Sequence, residues 1–287
     1  MFPSSFEYLA PTTLAEAQTL LSRYGGDAKV VAGGHSLIPT MKLRLAQPRY
    51  LIDLGRISEL SYIREQDGGL AIGAMTTYYQ IESSPLVRGR YPALAEAAAL
   101  VADLQVRNKG TIGGSLAHAD PAADLPAVVL ALEGEVRASS SGGQRTINAD
   151  GFFTDPFATA LRENEILTEI RIPALSANTG GSYKKFANKA SHFAVVGVAA
   201  FVTMRRGTCQ RARIGITGAG PRAIRAREAE RALEGKQPTE STLAQATSQA
   251  AQGIDFLSDI HASTEYRAHL TQVFARRALD EAISRAR

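Results

Sequence analysis

Apolar positions recur at helical spacing in PTTLAEAQTLLSRYGG, where Leu14, Ala17, Leu20 and Leu21 form one stripe. Thr12 or Thr13 offers an N-cap and Gly25–Gly26 a stop. A short apolar strand, AKVVAGG, runs into a glycine turn, and RYLIDLG repeats the strand pattern, giving a small β–α–β–turn–β unit. SYIREQDGGLAIGAMTT reads as a hairpin, with Asp67–Gly68–Gly69 supplying positive φ at its turn. PALAEAAALVADLQVRN reads as one helix leading into KGTIGGSLAHADPAADLP. LPAVVLALEGEVRASSSGGQRTINADGFF reads as helix, strand, polar hairpin and returning strand. NEILTEIRIP alternates apolar and polar positions and stops at Pro173, the pattern of an edge strand.

SANTGGS has the composition of a linker, which places a boundary near residues 174–181. Beyond it SYKKFA, FAVVGVAAFVTMRRG and QRARIGITGAG read as three strands. RAIRAREAERALEG, ESTLAQATSQAAQG and TEYRAHLTQVFARRALDEAISRAR read as helices. The tail is therefore α+β, strands first and helices after.

The 287 residues are 45% apolar and 21% charged, enough for one large domain or two modest ones with a real core. No apolar run is long enough to span a bilayer, and MFPSSFEYLAP lacks the basic and apolar regions of a leader, so a cytoplasmic location is expected. Cys209 is the only cysteine; it excludes an internal disulfide and a self-contained iron–sulfur cluster, which needs several thiolates. The five histidines have no ligand-like spacing, so no metal site is expected. Residues 1–175 carry 15 Lys/Arg against 19 Asp/Glu, and residues 176–287 carry 17 against 9. The basic residues of the tail alternate with Glu at helical spacing, as in RAREAERALEG, which favours a solvated face or a protein interface over nucleic acid.

VVAGGHS (30–36) and GTIGGSLAHADPAAD (110–124) both place Gly-Gly just after an apolar stretch. Glycine permits positive φ and removes the Cβ that would hold phosphate oxygens away. Successive N–H groups in such a turn form an anion nest, and Ser36, Thr111 and Ser115 add hydroxyl donors. A dinucleotide diphosphate could be held between two such turns. Spacing alone leaves open an ordinary pair of turns.

AGGHSLIP with the following MKLRL and LIDLG, and above all QVRNKGTIGGSLAHADPAADLPA at 105–127, resemble the flavin motifs of molybdenum-hydroxylase medium subunits. FATALRENEILTEIRIP, YKKFANKAS and EYRAHLTQVFARRAL match that family in order, so the resemblance covers essentially the whole chain. It implies a mixed α/β and α+β fold. A vanillyl-alcohol-oxidase (PCMH) type FAD domain would span residues 1–175, with subdomains at about 1–57 and 58–175. A C-terminal α+β domain of three strands and helices would span residues 180–287. It implies that Ala32, Gly33, Gly34, His35 and Ser36 line one side of the diphosphate and Thr111, Ile112, Gly113, Gly114 and Ser115 the other. Asp124 matches an acidic position facing sugar or ribityl hydroxyls, and Leu167 and Lys185 fall near further flavin contacts. Two departures stand out: Ser115 where relatives often have Asn, and His192-Phe193 where many have Arg-Tyr.

The same resemblance implies FAD in this chain, with a molybdopterin cofactor in a large partner subunit and two [2Fe–2S] clusters in a small one, as a dimer of heterotrimers. The expected role is electron transfer, with no catalytic residue in this chain. A self-contained flavin oxidase, or a nucleotide-binding assembly module without redox function, is the alternative. Other conspicuous residues have simpler readings. His35 and His118 lack a nucleophile or carboxylate constellation; Asp120 suits a helix cap at Pro121; Cys209 suits a hairpin turn. Gly218-Ala219-Gly220-Pro221-Arg222-Ala223 imitates a dinucleotide fingerprint but lacks the acidic strand end that should follow, so it reads as a strand-to-helix turn.

Overall fold

The computed structural model describes residues 2–286. β1 (Glu7–Leu9), α1 (Leu14–Tyr24), β2 (Ala28–Val31), α2 (Leu37–Lys42) and β3 (Tyr50–Asp53) form a first layer, whose parallel sheet has the order β1-β3-β2. The Thr13 hydroxyl accepts from Glu16 N at 3.2 Å and Gly25 leaves α1 at φ 51°, so both ends lie where cap and glycine put them. Ala17 and Leu21 of its inner face are buried with Ile52 and Leu54.

The next layer begins with a hairpin, β4 (Ile63–Gln66) and β5 (Gly69–Gly73), turned by Asp67 at φ 51° and Gly68 at φ 74°. Short helices follow: α3 (Tyr78–Ser83), α4 (Pro85–Arg90), α5 (Pro92–Ala99), α6 (Leu104–Arg107), α7 (Ile112–His118) and α8 (Asp124–Ala131). Then come β6 (Glu135–Ser140), β7 (Gly143–Asn148), the small pair β8 (Phe153–Asp155) and β9 (Ala158–Thr159), and β10 (Ile166–Ile172). The antiparallel sheet has the order β4-β5-β10-β6-β7. β10 is therefore its central strand, not an edge. Pro173 lies one position beyond it, where a missing N–H removes no ladder bond, and its carbonyl accepts from the Tyr91 hydroxyl at 3.0 Å. The helix expected over 92–108 is broken in two: Ala102 sits at φ 42° and Asp103 caps a new start, accepting from Val106 N at 2.9 Å. The second glycine segment is the first turn of α7 rather than an open loop.

The third layer is β11 (Thr179–Ala187), β12 (Ala194–Arg205), β13 (Thr208–Thr217) and β14 (Ile224–Arg225), antiparallel in that order, covered by α9 (Arg227–Leu233), α10 (Glu240–Gln249) and α11 (Thr264–Arg285). The two-residue β14 is a fourth strand taken from the expected helix. Arg225, bonded to Glu230 at 2.5 and 2.6 Å, holds it extended. Gly180 and Gly181 belong to β11: a Cβ on the first would lie 2.0 Å from the Ala282 carbonyl oxygen, so that glycine seats α11 on the sheet. Cys209 lies inside β13, fully buried, not in a turn. No helix among the described residues is long and apolar enough to cross a membrane.

Much of the basic excess of the tail is spent inside the chain. Arg211 and Arg213 meet Glu133, and Arg227 meets Asp150, across the contact between the second and third layers. The apolar stripe of α11, with Leu270, Phe274 and Leu279, is buried against the sheet. Beside it Arg267 is almost fully buried and donates to the carbonyls of Val195 (2.6 Å) and Gly218 (2.7 Å) and to Asp259 (2.6 Å). It pins together the ends of β12 and β13 that face the glycine motifs. Arg267→Ala is expected to destabilise the protein by about 3 kcal/mol, because it orphans two buried carbonyls. Urea unfolding of the two proteins measures this, and an unchanged midpoint would contradict it.

Candidate functional site

β2 delivers Ala32–Ser36 to the middle of the molecule, and Thr111–Ser115 lies against it. The contact is made by glycine. A Cβ on Gly33 would fall 2.1 Å from the Lys109 carbonyl oxygen, and one on Gly113 2.5 Å from Ala74 Cβ. These glycines let backbone touch backbone rather than adopt unusual torsions; of the four, only Gly34 has positive φ, at 74°.

The two turns differ in what they leave open. In the second, Ile112 N donates to Thr76 O (3.0 Å), Gly113 N to Ala74 O (2.9 Å), Gly114 N to Thr111 Oγ1 (3.1 Å) and Ser115 N to Thr111 O (3.0 Å). Its backbone is closed, and it offers hydroxyls. In the first, among the described residues, the N–H groups of Gly33, Gly34, His35 and Ser36 have no protein acceptor, and Ser36 makes no side-chain cap bond. A run of free N–H groups beside positive φ is an anion nest. The expectation that both turns present N–H groups holds for the first alone.

A partly enclosed cavity of about 540 Å³ runs along this seam, lined by Ala32–Ser36, Thr111, Gly113–Ser115, Asp124 and Leu167, with Ser191, His192 and Phe193 also on its wall. A more open cleft of about 940 Å³ shares Ala32–His35 and Thr111 but carries Lys42, Asp53, Gln80 and Lys109 instead, so the first turn separates two hollows. Two expected contacts do not line the partly enclosed cavity. Ile112 is buried in the core, its backbone carrying the seam. The Lys185 side chain is almost fully buried, its ammonium donating to Leu100 O (2.7 Å), His192 O (2.7 Å) and Asp124 Oδ2 (3.0 Å). Those bonds use all its protons. Lys184 pairs with Glu281 instead.

Asp124 opens α8 and is buried, with Tyr183 donating to Oδ1 at 2.5 Å and Lys185 to Oδ2. Burial pushes its carboxyl above the usual range, while the Lys185 charge and the Tyr183 hydrogen bond pull it back. Asp120 caps a local turn, accepting from Ala122 N at 2.9 Å, rather than α8. His118 lies against Phe157, ring centroids 5.1 Å apart and tilted by 51°, and burial lowers its pKa, which fits a neutral wall residue. His35 is exposed. Sequence reasoning missed Tyr78 and Tyr183. Burial pushes the Tyr78 phenol up to about 12, the Ser115 hydroxyl opposing it. Tyr183 stands two residues from Lys185 in SYKKFA, on the same face of β11, so the strand's period carried that signal. Gly218 turns β13 out of the sheet at φ 77°; its N–H donates to Pro121 O (2.8 Å) and its carbonyl serves Arg267, so it grips the chain and no nucleotide.

Residues 4–175 match the family described as FAD binding domain in molybdopterin dehydrogenase, and residues 181–282 the CO dehydrogenase flavoprotein C-terminal domain. The carbon monoxide dehydrogenase medium chain of Hydrogenophaga pseudoflava is 42% identical over 99% of both chains. A subunit of the 6-hydroxypseudooxynicotine dehydrogenase complex of Paenarthrobacter nicotinovorans is 39% identical over 100% of this chain and 97% of its own. Among solved structures, the Hydrogenophaga carbon monoxide dehydrogenase chain superposes with a TM-score of 0.98 at 44% identity, with complete coverage of both. A chain of quinoline 2-oxidoreductase from Pseudomonas putida 86 superposes at 0.94 and 36%, covering 100% of this chain and 99% of its own. The fold and the site thus define an FAD-binding oxidoreductase component. The chain belongs to the FAD-carrying medium subunits of the molybdenum hydroxylases.

The glycines separate two effects. Gly33→Ala drives a methyl into the Lys109 carbonyl and is expected to cost roughly 2–3 kcal/mol of stability as well as flavin. Gly34→Ala meets only Ile38 Cγ1 at 3.1 Å and pays the torsional cost of its φ, about 1 kcal/mol, while distorting the nest. Denaturant unfolding of the flavin-free proteins and flavin retention after gel filtration give the comparison; equal stability losses would sink it.

Proposed function

We propose that this chain holds FAD noncovalently between its two glycine segments as the electron-transfer subunit of a heteromeric molybdenum-dependent dehydrogenase. The observation that carries the placement is the open run of N–H groups at Gly33–Ser36 against the closed second turn, both on the wall of one cavity. A diphosphate needs such donors, and the set fits one: the first turn gives backbone N–H, and Ser36, Thr111 and Ser115 give hydroxyls. Asp124 is assigned to sugar or ribityl hydroxyls, Leu167 to the cavity wall, and Phe193, 46% exposed, to the rim beside the redox-active ring. Lys185 acts behind Asp124, and Ile112 through the seam. FAD, when bound, supplies a centre that takes up and releases electrons singly or in pairs. The chain's own task is to bind and orient it and to shield it from water.

As a medium subunit, the chain works with a small and a large partner. One buried cysteine cannot ligate the [2Fe–2S] clusters, so they and the molybdopterin cofactor are assigned to those partners. We assign residues 1–175 to the FAD domain, in subdomains of about 1–57 and 58–175, and residues 180–287 to the C-terminal domain, and place the assembly, a dimer of heterotrimers, in the cytoplasm. Both family matches, over residues 4–175 and 181–282, are to domains of molybdenum-hydroxylase flavoproteins, which supports the subunit reading over a self-contained oxidase.

Two measurements test this. Acid precipitation of the yellow protein is expected to leave its flavin in the supernatant; flavin pelleting with the polypeptide defeats the noncovalent claim. Mixed anaerobically with candidate N-heterocycles, aldehydes or carbon monoxide, the FAD-loaded chain alone is expected to keep its visible bands. Direct bleaching without molybdenum or iron–sulfur protein would replace this function with that of a stand-alone oxidase.

A further inference from the structure

The wall of the flavin cavity at Pro121–Asp124 is set by the third layer. Thr217 Oγ1 lies 2.8 Å from Pro121 O and 2.7 Å from Ala123 O, Gly218 N donates to Pro121 O at 2.8 Å, and Ala194 N donates to Ala122 O at 3.2 Å. The segment ends at Asp124, whose two carboxylate oxygens are taken by Tyr183 and Lys185, both from β11. Lys185 also serves two backbone carbonyls, but the Tyr183 hydroxyl has Asp124 as its one hydrogen-bond partner among the described residues. The fold makes room for that hydroxyl: a Cβ on Gly197 would lie 2.3 Å from it. A phenol buried at this depth, bonded to a carboxylate that lines a ligand cavity, does more than fill space.

We propose that Tyr183 is a positioning residue for the flavin: its hydrogen bond fixes the Asp124 carboxylate on the cavity wall, so that the C-terminal layer governs the charge beside the cofactor. This rests on the FAD placement argued above. The groups facing Asp124 are Lys185 and Tyr183 from β11 and Asp120 from the preceding loop; Tyr78 of α3 and His118 of α7 line the same cavity. Two donors on its two oxygens suit the ionised form, the better acceptor for a sugar hydroxyl. Removing the tyrosine donor takes away one of the influences that hold the carboxyl down, so its protonation moves to higher pH.

The experiment uses the full chain loaded with FAD, as wild type, Tyr183→Phe, Asp124→Asn and the double variant. FAD affinity is titrated from acid to neutral pH, because burial raises the Asp124 carboxyl above its ordinary range. Wild type is expected to lose affinity on the acid side, and Tyr183→Phe to move that limb up by about one pH unit. Asp124→Asn should flatten the limb, and Tyr183→Phe should add nothing in the Asp124→Asn background. A coincident acid limb in Tyr183→Phe, or a shift that persists without Asp124, overturns the proposal. So does a folded Tyr183→Phe chain that binds no FAD at any pH, because the tyrosine would then be a plain structural requirement. Should Tyr183→Phe not fold, Gly197→Ala, which crowds the same hydroxyl, is expected to give the same displacement, and an unmoved profile there is equally fatal. A wild-type chain with no affinity for FAD sinks the parent reading and this one together, whereas a coincident limb sinks this one alone.

Discussion

The backbone of Gly33 rests on the carbonyl of Lys109, closer than any side chain would allow, and the site follows from that contact. It brings the end of a parallel strand against the start of α7, in elements far apart in sequence. α7 is itself sewn to the β5 hairpin through Gly113 N and Ala74 O. Those bonds to Ala74 and Thr76, with the cap at Thr111, take up the N–H groups of the second turn. The first turn keeps its own because Gly34 swings the chain through positive φ and away from any acceptor. The two turns thus differ in kind: the second is fixed by its own cap and by the segment after β5, and the first keeps its donors free.

The third layer has a comparable hold on the opposite wall. Thr217, Gly218 and Ala194 grip the backbone of Pro121–Ala123, while Tyr183 and Lys185 grip the side chain of Asp124. Lys185 extends this to the Leu100 and His192 loops, whose neighbours Val101, Ala102 and Phe193 line the cavity. Arg267 then fastens the strand ends from behind. All but the Lys185–His192 bond join segments far apart in sequence. The cavity is a product of tertiary closure, and neither half of the chain contains it alone.

That distinction explains what was legible in the sequence. α1, the Asp67–Gly68 hairpin, the three long strands of the tail and the long terminal helix follow local rules of capping, positive φ and period. The glycine motifs could be found, as paired Gly-Gly turns that resemble a family's flavin motifs, but their structural reason could not. Gly33 and Gly113 read as turn geometry and room for a phosphate and Gly180 as linker, whereas each makes room for backbone from a distant element. β10 alternates because Ile170 and Ile172 face the core while Glu169, buried on the other face, is matched by Arg171 and by Tyr62, a partner visible only once the sheet is assembled. The break after α5 depends on Ala102 at positive φ, which alanine does not advertise.

The basic tail shows the same limit from the side of function. Charge counting made it a contact surface, yet several of its arginines answer Glu133 and Asp150 within the chain. Its cysteine, which could have suggested thiol chemistry, is enclosed in β13, and burial pushes the thiol up to about 11. A thiol that far above neutral pH carries almost no thiolate, the species that reacts with oxidants or metals. The polypeptide therefore offers no redox group of its own near neutrality. What it offers is an open row of N–H groups, a set of hydroxyls and a carboxylate fixed from behind, all on residues that line one cavity, which is the equipment of a protein whose redox chemistry belongs to the molecule it carries.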